Sequence, residues 1–241
     1  MDLGLQGKVA LVTAASKGLG RASAQALAEE GVRLVICARG EEALEKARSE
    51  LALLTEVIGV VGDVTRPDVP QKLVDTAVHR FGGLDILVAN AGGPPAMRAL
   101  EVDDASLAAA LDANLLTSVR LVQAAVPRMR AAGWGRIVCI ASTSVKQPIP
   151  NLALSNAARA GLWGWAKTAA QDLFADGITL NLALPGYHAT DRMLAVGTPE
   201  GVPVGDPADF GKVVAFLCSD PARFVSGSAV AVDGARILGL S

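Results

Sequence analysis

Residues 9–28 read VALVTAASKGLGRASAQALA, which is an apolar run, a glycine-containing turn and an alanine-rich helical stretch in direct succession. A helix that begins where a buried strand ends offers free N–H groups and partial positive charge to a phosphate, and glycines let the backbone approach closely. The turn therefore predicts a pyrophosphate site, formed by Thr13, Ser16, Lys17, Gly18, Leu19 and Gly20. Alone, the Gly-x-Gly pair is weak evidence, because structural turns carry the same spacing.

The rest of the chain repeats this alternation of strand and helix. Short β-branched runs alternate with Ala/Leu/Glu-rich segments of helical period, which is typical of βαβ units and a parallel sheet covered on both faces. The predicted strands are 9–13, 33–38, 57–61, 86–89, 136–141, 178–183 and 229–232. We expect a three-layer, doubly wound α/β fold of Rossmann type, with residues 1–241 forming one dinucleotide-binding domain.

Two long helices, predicted at 103–129 and 151–174, are rich in Ala and Leu on more than one face. An apolar face that is left after a helix has packed on its sheet usually contacts another subunit. We therefore expect a homodimer or homotetramer. The alternative is that both helices are deeply buried within one chain.

Composition narrows the classes of partner. The formal net charge of −2 over 241 residues provides no basic field for nucleic acid and no patch for a membrane surface. Residues 1–8 lack the basic and then apolar order of a signal peptide, and no apolar run approaches the roughly 20 residues of a membrane span. These features predict a cytoplasmic protein that acts on small molecules.

Cysteine and histidine usage argues against a disulfide framework or a metal site. Cys37, Cys139 and Cys218 are odd in number, far apart and set in apolar runs, which favours buried free thiols. His79 and His188 are also far apart, with no cluster of further ligands around them. We predict no metal.

A second motif follows the fourth predicted strand, in Asn90-Ala91-Gly92, and a third follows the third strand, in Asp63-Val64. With the glycine turn, they resemble the short-chain dehydrogenase/reductase family, and the resemblance runs from end to end. It implies that Asn90, Ala91 and Gly92 line the cofactor ribose and that Asp63 and Val64 lie at the adenine. A plain turn aspartate is the alternative for Asp63. The family's first turn glycine is Ala14 here, and a positive φ would cost alanine about 1 kcal/mol.

The choice of nicotinamide cofactor depends on the end of the second strand. NAD enzymes carry an acidic residue there for the ribose 2′-hydroxyl, whereas NADP enzymes carry a cation for the 2′-phosphate. This strand ends in Arg39, and Lys17 lies in the neighbouring turn. The pair favours NADP(H) over NAD(H), although both residues could be ordinary solvated cations.

The resemblance also assigns catalytic roles. In the family, hydride passes to a carbonyl carbon, a tyrosine with a nearby lysine gives a proton to the oxygen, a serine orients that oxygen and an asparagine holds a relay water. Ser142, in Ile-Ala-Ser-Thr-Ser after the fifth strand, matches the serine, and Asn114 matches the asparagine. Pro185, Gly186 and Thr190 match the segment that passes beside the nicotinamide.

The tyrosine and lysine of the family are missing. Register with the flanking motifs puts Ser155 at the tyrosine position and Arg159 at the lysine position. A serine hydroxyl is too weak an acid to replace a phenol, and arginine keeps its proton at working pH. Arg159 can still donate two hydrogen bonds to ribose hydroxyls and stabilise an alkoxide. Cofactor binding is therefore expected, while proton delivery is open.

Other acids are candidates for that proton. Tyr187, the sole tyrosine, follows Pro185-Gly186 and could reach the substrate or could pack over the cofactor ring. Lys146 and His188 are further candidates, with a surface position as the alternative for each. Lys167 follows Trp163 by four residues, the separation of tyrosine and lysine in the family. It lies eight residues beyond Arg159, however, so it is expected to be a solvated or packing residue.

The substrate side and the tail complete the resemblance. The stretch between Thr190 and Val204 is short, so the pocket is expected to be open, as suits a bulky or carrier-bound carbonyl substrate or none. Residues 216–234 resemble the 3-oxoacyl-acyl-carrier-protein reductases, which implies a role in fatty acid biosynthesis. The rival hypothesis is a non-catalytic dinucleotide-binding sensor or assembly protein, because fold and function are separable.

Overall fold

A computed structural model describes residues 1–197 and 201–239. Its sheet has seven parallel strands in the order β3-β2-β1-β4-β5-β6-β7. The strands are β1 Val9–Thr13, β2 Arg33–Ala38, β3 Val57–Val61, β4 Ile86–Ala89, β5 Gly135–Ile140, β6 Ile178–Pro185 and β7 Ala229–Val232. The expected Rossmann-type α/β fold with a parallel seven-stranded sheet is confirmed, and the strand boundaries agree to within two residues.

Helices cover both faces of the sheet. They are α1 Gly18–Glu29, α2 Glu41–Leu51, α3 Val69–Phe81, α4 Asp104–Leu111, α5 Thr117–Ala132, α6 Ala153–Phe174, α7 Asp191–Val196 and α8 Pro207–Leu217. Two hydrophobic clusters fill the layers, one between the sheet and α3, α5 and α6, and the other between the sheet and α1, α2 and α8. Leu11 and Val12, adjacent on β1, belong to opposite clusters, as alternation along a strand requires.

The two edge strands depart from the expectation that every strand is covered on both faces. β3 alternates between covered and open positions, with Val61 50% exposed, and none of the four residues of β7 is buried. An edge strand lacks a neighbour on one side, and the flanking helices do not extend over it fully. Apolar sequence alone did not distinguish these edges from the central strands.

The first long helix is not one regular α-helix. Residues 104–132 form a continuous helical stretch, but Asp112–Leu116 adopts a π-helix between α4 and α5. This stretch is long and apolar enough to span a membrane by length and composition only. In the fold it packs against α3, α6 and the strands β4 and β5. The predicted single helix at 103–129 is therefore corrected to two helices joined by a wider turn.

The strand order places the site. The chain leaves β1 towards β2 on one side, whereas β4 pairs with β1 on the other, so a crevice opens at the carboxyl ends of β1 and β4. Parallel strands bring all their carboxyl ends to one edge of the sheet. Most of the predicted site residues lie at this edge because they follow β1, β2, β3, β4, β5 and β6, whereas Asn114, Ser155 and Arg159 lie on helical segments.

Candidate active site

The turn after β1 is tightly closed. Ala14, which takes the place of the family's first turn glycine, has a φ of +48°, in the left-handed region. A Cβ on Gly20 would lie 2.4 Å from the Ala14 carbonyl oxygen and 2.7 Å from Asn90 Nδ2, so only glycine fits. The glycine at position 20 therefore lets α1 start directly against the turn.

Thr13 and Asn90, on the two sides of the crevice, are hydrogen-bonded to each other. The Thr13 hydroxyl donates to the Asn90 carbonyl at 2.7 Å and accepts from the Asn90 N–H at 2.8 Å. Asn90 Nδ2 also reaches the Ala14 carbonyl at 3.5 Å. The structure thus joins the first predicted motif to the second through a reciprocal pair of hydrogen bonds between residues 77 positions apart.

The first turn of α1 keeps its N–H groups available. The residue before the helix, Lys17, is extended and caps no N–H with its side chain, so this end can receive an anion. Lys17 Nζ lies 2.7 Å from Asp191 Oδ2, with both side chains exposed. Gly18 faces Thr190, whose Cγ2 would lie 3.6 Å from a Cβ at that glycine. The segment at 190–191 therefore stands opposite the glycine turn.

Asp63 and Arg39 lie together beyond the ends of β3 and β2. Hydrogen bonds from the Thr65 backbone and hydroxyl to Asp63, together with the charges of Arg39 and Arg66, hold the pKa of the Asp63 carboxyl below its usual value. Val64 beside it is buried. The Asp63 carboxylate therefore stays charged, and the Arg39 guanidinium lies close enough to interact with it electrostatically. Together they form a polar end of the crevice.

Ser142, Ser155 and Arg159 come from two neighbouring elements. Ser142 follows β5, and its Oγ accepts from the Ser144 N–H at 3.1 Å. Ser155 and Arg159 lie one turn apart on α6 and are both buried. Arg159 Nη1 donates to the carbonyl oxygen of Ile140, the last residue of β5, at 3.1 Å.

Asn114 occupies the π-helical turn. Its side chain is 2% exposed, its Nδ2 makes one long contact with the Ala110 carbonyl, and its Oδ1 is buried without a hydrogen-bond partner among the described residues. A π-helical turn changes the direction in which a side chain leaves the helix, and such turns are frequent at functional sites. Leu115, the next residue, faces Gly161 of α6, so the π turn packs on the helix that carries Ser155 and Arg159.

Arg192 is a charged residue of the cleft that sequence reasoning did not single out. From α7 it crosses to the loop after β4, where its Nη2 donates to the Pro94 carbonyl at 2.7 Å and its guanidinium covers Gly93. Burial, and then the charge of Arg192, lower the pKa of Arg159 to about 10. Arg159 therefore remains charged at neutral pH. The available signal was a cation two residues after Thr190.

The other candidate acids lie in different surroundings. The Tyr187 ring stacks under the Arg236 guanidinium, 4.0 Å from its carbon to the ring centroid. Lys146 is exposed, as its surface alternative predicted. The same alternative for His188 is wrong, because its ring is 5% exposed and packs edge-on against Phe210. Burial lowers the pKa of this imidazole.

Several remaining predictions can be placed on the structure. Lys167 donates to the Gly227 carbonyl at 2.7 Å, which is the packing role expected of it. The three cysteines are buried free thiols, and burial raises the pKa of Cys139 and Cys218 to about 12. Within residues 1–197 and 201–239 no group of three candidate metal ligands occurs. Of the short stretch on the substrate side, Thr198, Pro199 and Glu200 lie outside the described residues.

Comparison with known proteins agrees with this geometry. Residues 8–200 match the short chain dehydrogenase family. A 3-oxoacyl-[acyl-carrier-protein] reductase from Vibrio cholerae is 32% identical over 96% of this chain and 98% of its own length. A cis-4-hydroxycyclohexanecarboxylate dehydrogenase from Sinomonas cyclohexanicum is 36% identical over 94% of this chain and 95% of its own.

A solved structure has the same fold throughout. An L-sorbose reductase from Gluconobacter frateurii, complexed with NADPH and L-sorbose, superposes with a TM-score of 0.93 at 31% identity and covers 100% of both chains. The names of these three proteins give three different substrates, so the family is shared and the substrate is not. The chain belongs to the short-chain dehydrogenase family of oxidoreductases.

Proposed function

We propose that this protein is an NADP(H)-dependent oxidoreductase that interconverts a carbonyl and a secondary alcohol. The observation that carries the proposal is the closed crevice, in which Thr13 and Asn90 exchange two hydrogen bonds beside Gly20, where no Cβ fits. A backbone held this way, with an uncapped helix end beside it, suits a pyrophosphate. The NADPH in the L-sorbose reductase structure supports the same kind of cofactor.

Each part of the dinucleotide has residues to hold it. Residues 13–20 and Thr190 would bind the pyrophosphate, and Asp63 and Val64 would contact the adenine. Asn90, Ala91, Gly92 and Arg159 would bind the nicotinamide ribose, with Pro185 and Gly186 beside the ring. Arg39 lies in the field of Asp63 and is exposed, so it is free to meet a 2′-phosphate, and NADP(H) is favoured over NAD(H).

The reduced nicotinamide, when bound, supplies a hydride to the carbonyl carbon. The chain's own residues must then orient the carbonyl oxygen and deliver one proton to it. Ser142 Oγ accepts one hydrogen bond from Ser144 and keeps its own hydrogen for that oxygen. Asn114, whose buried Oδ1 has no hydrogen-bond partner among the described residues, would hold a relay water. Arg159 stabilises the developing alkoxide by its charge.

Proton delivery limits the rate. Ser155 replaces a phenol with an aliphatic hydroxyl, and a positioned general acid contributes about 10² to 10⁴ in rate. The proton then comes from bulk solvent through a relay water at Asn114, which gives one proton to the alkoxide and takes up another from solvent, and this route makes a slow but competent enzyme. Tyr187 is the other candidate, although its stacking on Arg236 favours a packing role.

The rival function is a non-catalytic dinucleotide-binding sensor or assembly protein. The observation in its favour is that Arg159 donates one guanidinium N–H to the Ile140 carbonyl, so this side chain has a structural contact within the fold. A structural arginine would bind cofactor without serving catalysis. Both functions use the same crevice, and only turnover separates them.

The substrate we propose is a small or carrier-bound carbonyl compound. The resemblance of residues 216–234 and the Vibrio cholerae relative support a 3-oxoacyl thioester, and hence fatty acid biosynthesis, as one candidate. The other relatives named above act on an alicyclic hydroxy acid and on a sugar. We further propose a single domain over residues 1–241, a cytoplasmic location, and a homodimer or homotetramer without nucleic-acid or membrane partners.

NADPH oxidation with a 3-oxoacyl thioester tests the catalytic proposal. Wild type, Ser155→Tyr, Ser155→Phe and Tyr187→Phe are compared under steady-state conditions, the phenylalanine at position 155 serving as the control that lacks only the hydroxyl. We expect measurable turnover in the wild type and a gain in Ser155→Tyr alone. No turnover except in Ser155→Tyr supports the rival, a loss in Tyr187→Phe identifies a relocated acid, and unchanged rates in all variants contradict the claim that proton delivery limits the rate.

A further inference from the structure

Two guanidinium groups lie close together in the cleft, and no carboxylate of residues 1–197 and 201–239 forms an ion pair with either. The Arg159 guanidinium, from α6, contacts the carboxyl end of β5, and the Arg192 guanidinium, from α7, contacts the loop that follows the neighbouring strand β4. The ion pairs of the described residues include neither of them. Two like charges in one cleft repel each other, and an anion bound beside them would relieve this repulsion.

The two arginines differ in how free they are. Arg159 is buried and hydrogen-bonded to the Ile140 carbonyl, and in the proposed function it binds the cofactor ribose. Arg192 is exposed, and its one side-chain hydrogen bond to a described residue uses a single Nη2 donor on the Pro94 carbonyl. A guanidinium group has five N–H donors, so most of those on Arg192 remain available for a ligand.

The position of Arg192 favours the substrate over the cofactor phosphates. The phosphate turn at 16–20 is faced by Thr190 and Asp191, with Lys17 already paired to Asp191. Arg192 instead reaches the backbone of Gly93 and Pro94, directly after the ribose motif. Its charge lowers the pKa of Arg159, whose guanidinium is hydrogen-bonded to Ile140 at the end of β5, two residues before Ser142. A planar fork at this place matches a planar carboxylate through two parallel hydrogen bonds.

We propose that Arg192 is a specificity-determining residue that binds a carboxylate of the substrate, so that this oxidoreductase acts on an oxo acid or its hydroxy acid. The inference rests on the proposed function and deepens it by naming the substrate class. The carboxylate is held at the rim by Arg192, and the carbonyl of the same molecule lies at Ser142. The alicyclic hydroxy acid in the name of the Sinomonas cyclohexanicum relative belongs to this class.

Calorimetric binding to the NADP⁺-loaded protein tests the proposal without requiring turnover. The probes are cyclohexanecarboxylate and its neutral isostere cyclohexanecarboxamide. Hydrogen bonds to charged groups are worth about 1.5–3 kcal/mol, so we expect the carboxylate to bind at least about tenfold more tightly. Arg192→Met abolishes that difference, Arg192→Lys keeps part of it, and the control Arg80→Met, at the distant end of α3, keeps all of it.

Each contrary outcome has a separate meaning. Equal binding of the two probes to the wild type, or a preference that survives in Arg192→Met, overturns the inference and leaves the proposed function intact. A tenfold loss of NADPH affinity in Arg192→Met also overturns it, because the guanidinium then serves a cofactor phosphate. No NADPH binding by the wild type overturns the proposed function, and this inference with it.

Discussion

At the scale of single residues, the turn after β1 closes tightly although Ala14 takes the place of the family's first glycine. Ala14 holds a left-handed φ that costs a residue with a Cβ about 1–2 kcal/mol. The turn nevertheless closes, because Thr13 and Asn90 bind it from both sides. The turn at residues 13–20 therefore tolerates alanine in place of its first glycine, whereas Gly20 cannot be replaced without a steric clash.

Gly20→Ala should abolish the nucleotide site. A methyl group 2.4 Å from the Ala14 carbonyl and 2.7 Å from the Asn90 amide must push both away. We expect NADPH affinity to fall by at least about tenfold, which corresponds to about 1.4 kcal/mol. The control is Gly83→Ala, since a Cβ there meets nothing within 4 Å. Equal affinity for the two variants would refute this reading of the turn.

His188 should make the protein acid-sensitive. Burial lowers the pKa of its imidazole below the ordinary 6.5, so the unfolded chain binds a proton more readily than the folded one. Stability is therefore full above about pH 6.5 and is lost as the pH falls through the lowered pKa. Tm measured from pH 7 to 5 should drop less in His188→Gln than in wild type, whereas His79→Gln, an exposed control, should follow the wild type. Parallel curves of Tm against pH for wild type and His188→Gln would contradict the proposed role of His188 in acid sensitivity.

At the scale of elements, the π turn in Asp112–Leu116 converts a packing helix into part of the site. The turn aims the Asn114 amide inwards and leaves its Oδ1 without a partner among the residues described. A buried, unpaired polar group costs about 1–3 kcal/mol. Such a cost is typical of residues kept for function rather than for stability.

Asn114→Leu should separate stability from activity. The apolar side chain removes the unpaired oxygen at similar volume, so we expect Tm to stay the same or to rise. Turnover should fall by about tenfold or more if the relay water is lost. The control Gln123→Leu changes an exposed amide to leucine on α5 and should leave the rate unchanged. A large fall in Tm for Asn114→Leu would show that the amide is structural.

At the scale of the whole molecule, apolar surface that this chain leaves open indicates association. Phe174, at the end of α6, is 42% exposed and packs edge-on against Phe224, which is 86% exposed. β7 nearby is also incompletely covered. Exposed aromatic clusters of this kind commonly mark subunit contacts.

Phe224→Asp should weaken the assembly. Sedimentation of the wild type is expected to give two or four times the chain mass of 24.6 kDa. A buried charge is unfavourable at such a contact, so the variant should shift to smaller species. Leu53→Asp, which alters an equally exposed side chain after α2, is the control. A monomeric wild type would rule out the proposed oligomer.

Sequence reasoning reached much of this arrangement because its signals are local and periodic. Strand boundaries follow apolar runs, and the nucleotide turn follows from glycine spacing. It did not find the π turn, because the extra residue leaves the apolar pattern of 103–129 almost unchanged. It also missed the burial of His188 and the reach of Arg192 to Pro94, since both depend on contacts between distant parts of the chain.

The most direct test of the central claim is a calorimetric titration of the wild-type protein with NADPH and with NADH. That claim is our proposal that the crevice at Thr13, Gly20 and Asn90 binds the dinucleotide although Ser155 and Arg159 take the positions at which the family resemblance implies a tyrosine and a lysine. We therefore predict saturable heat with NADPH and weaker binding of NADH at moderate salt. Tighter binding of NADH would contradict the role of Arg39, and no heat with either nucleotide would contradict dinucleotide binding at this crevice.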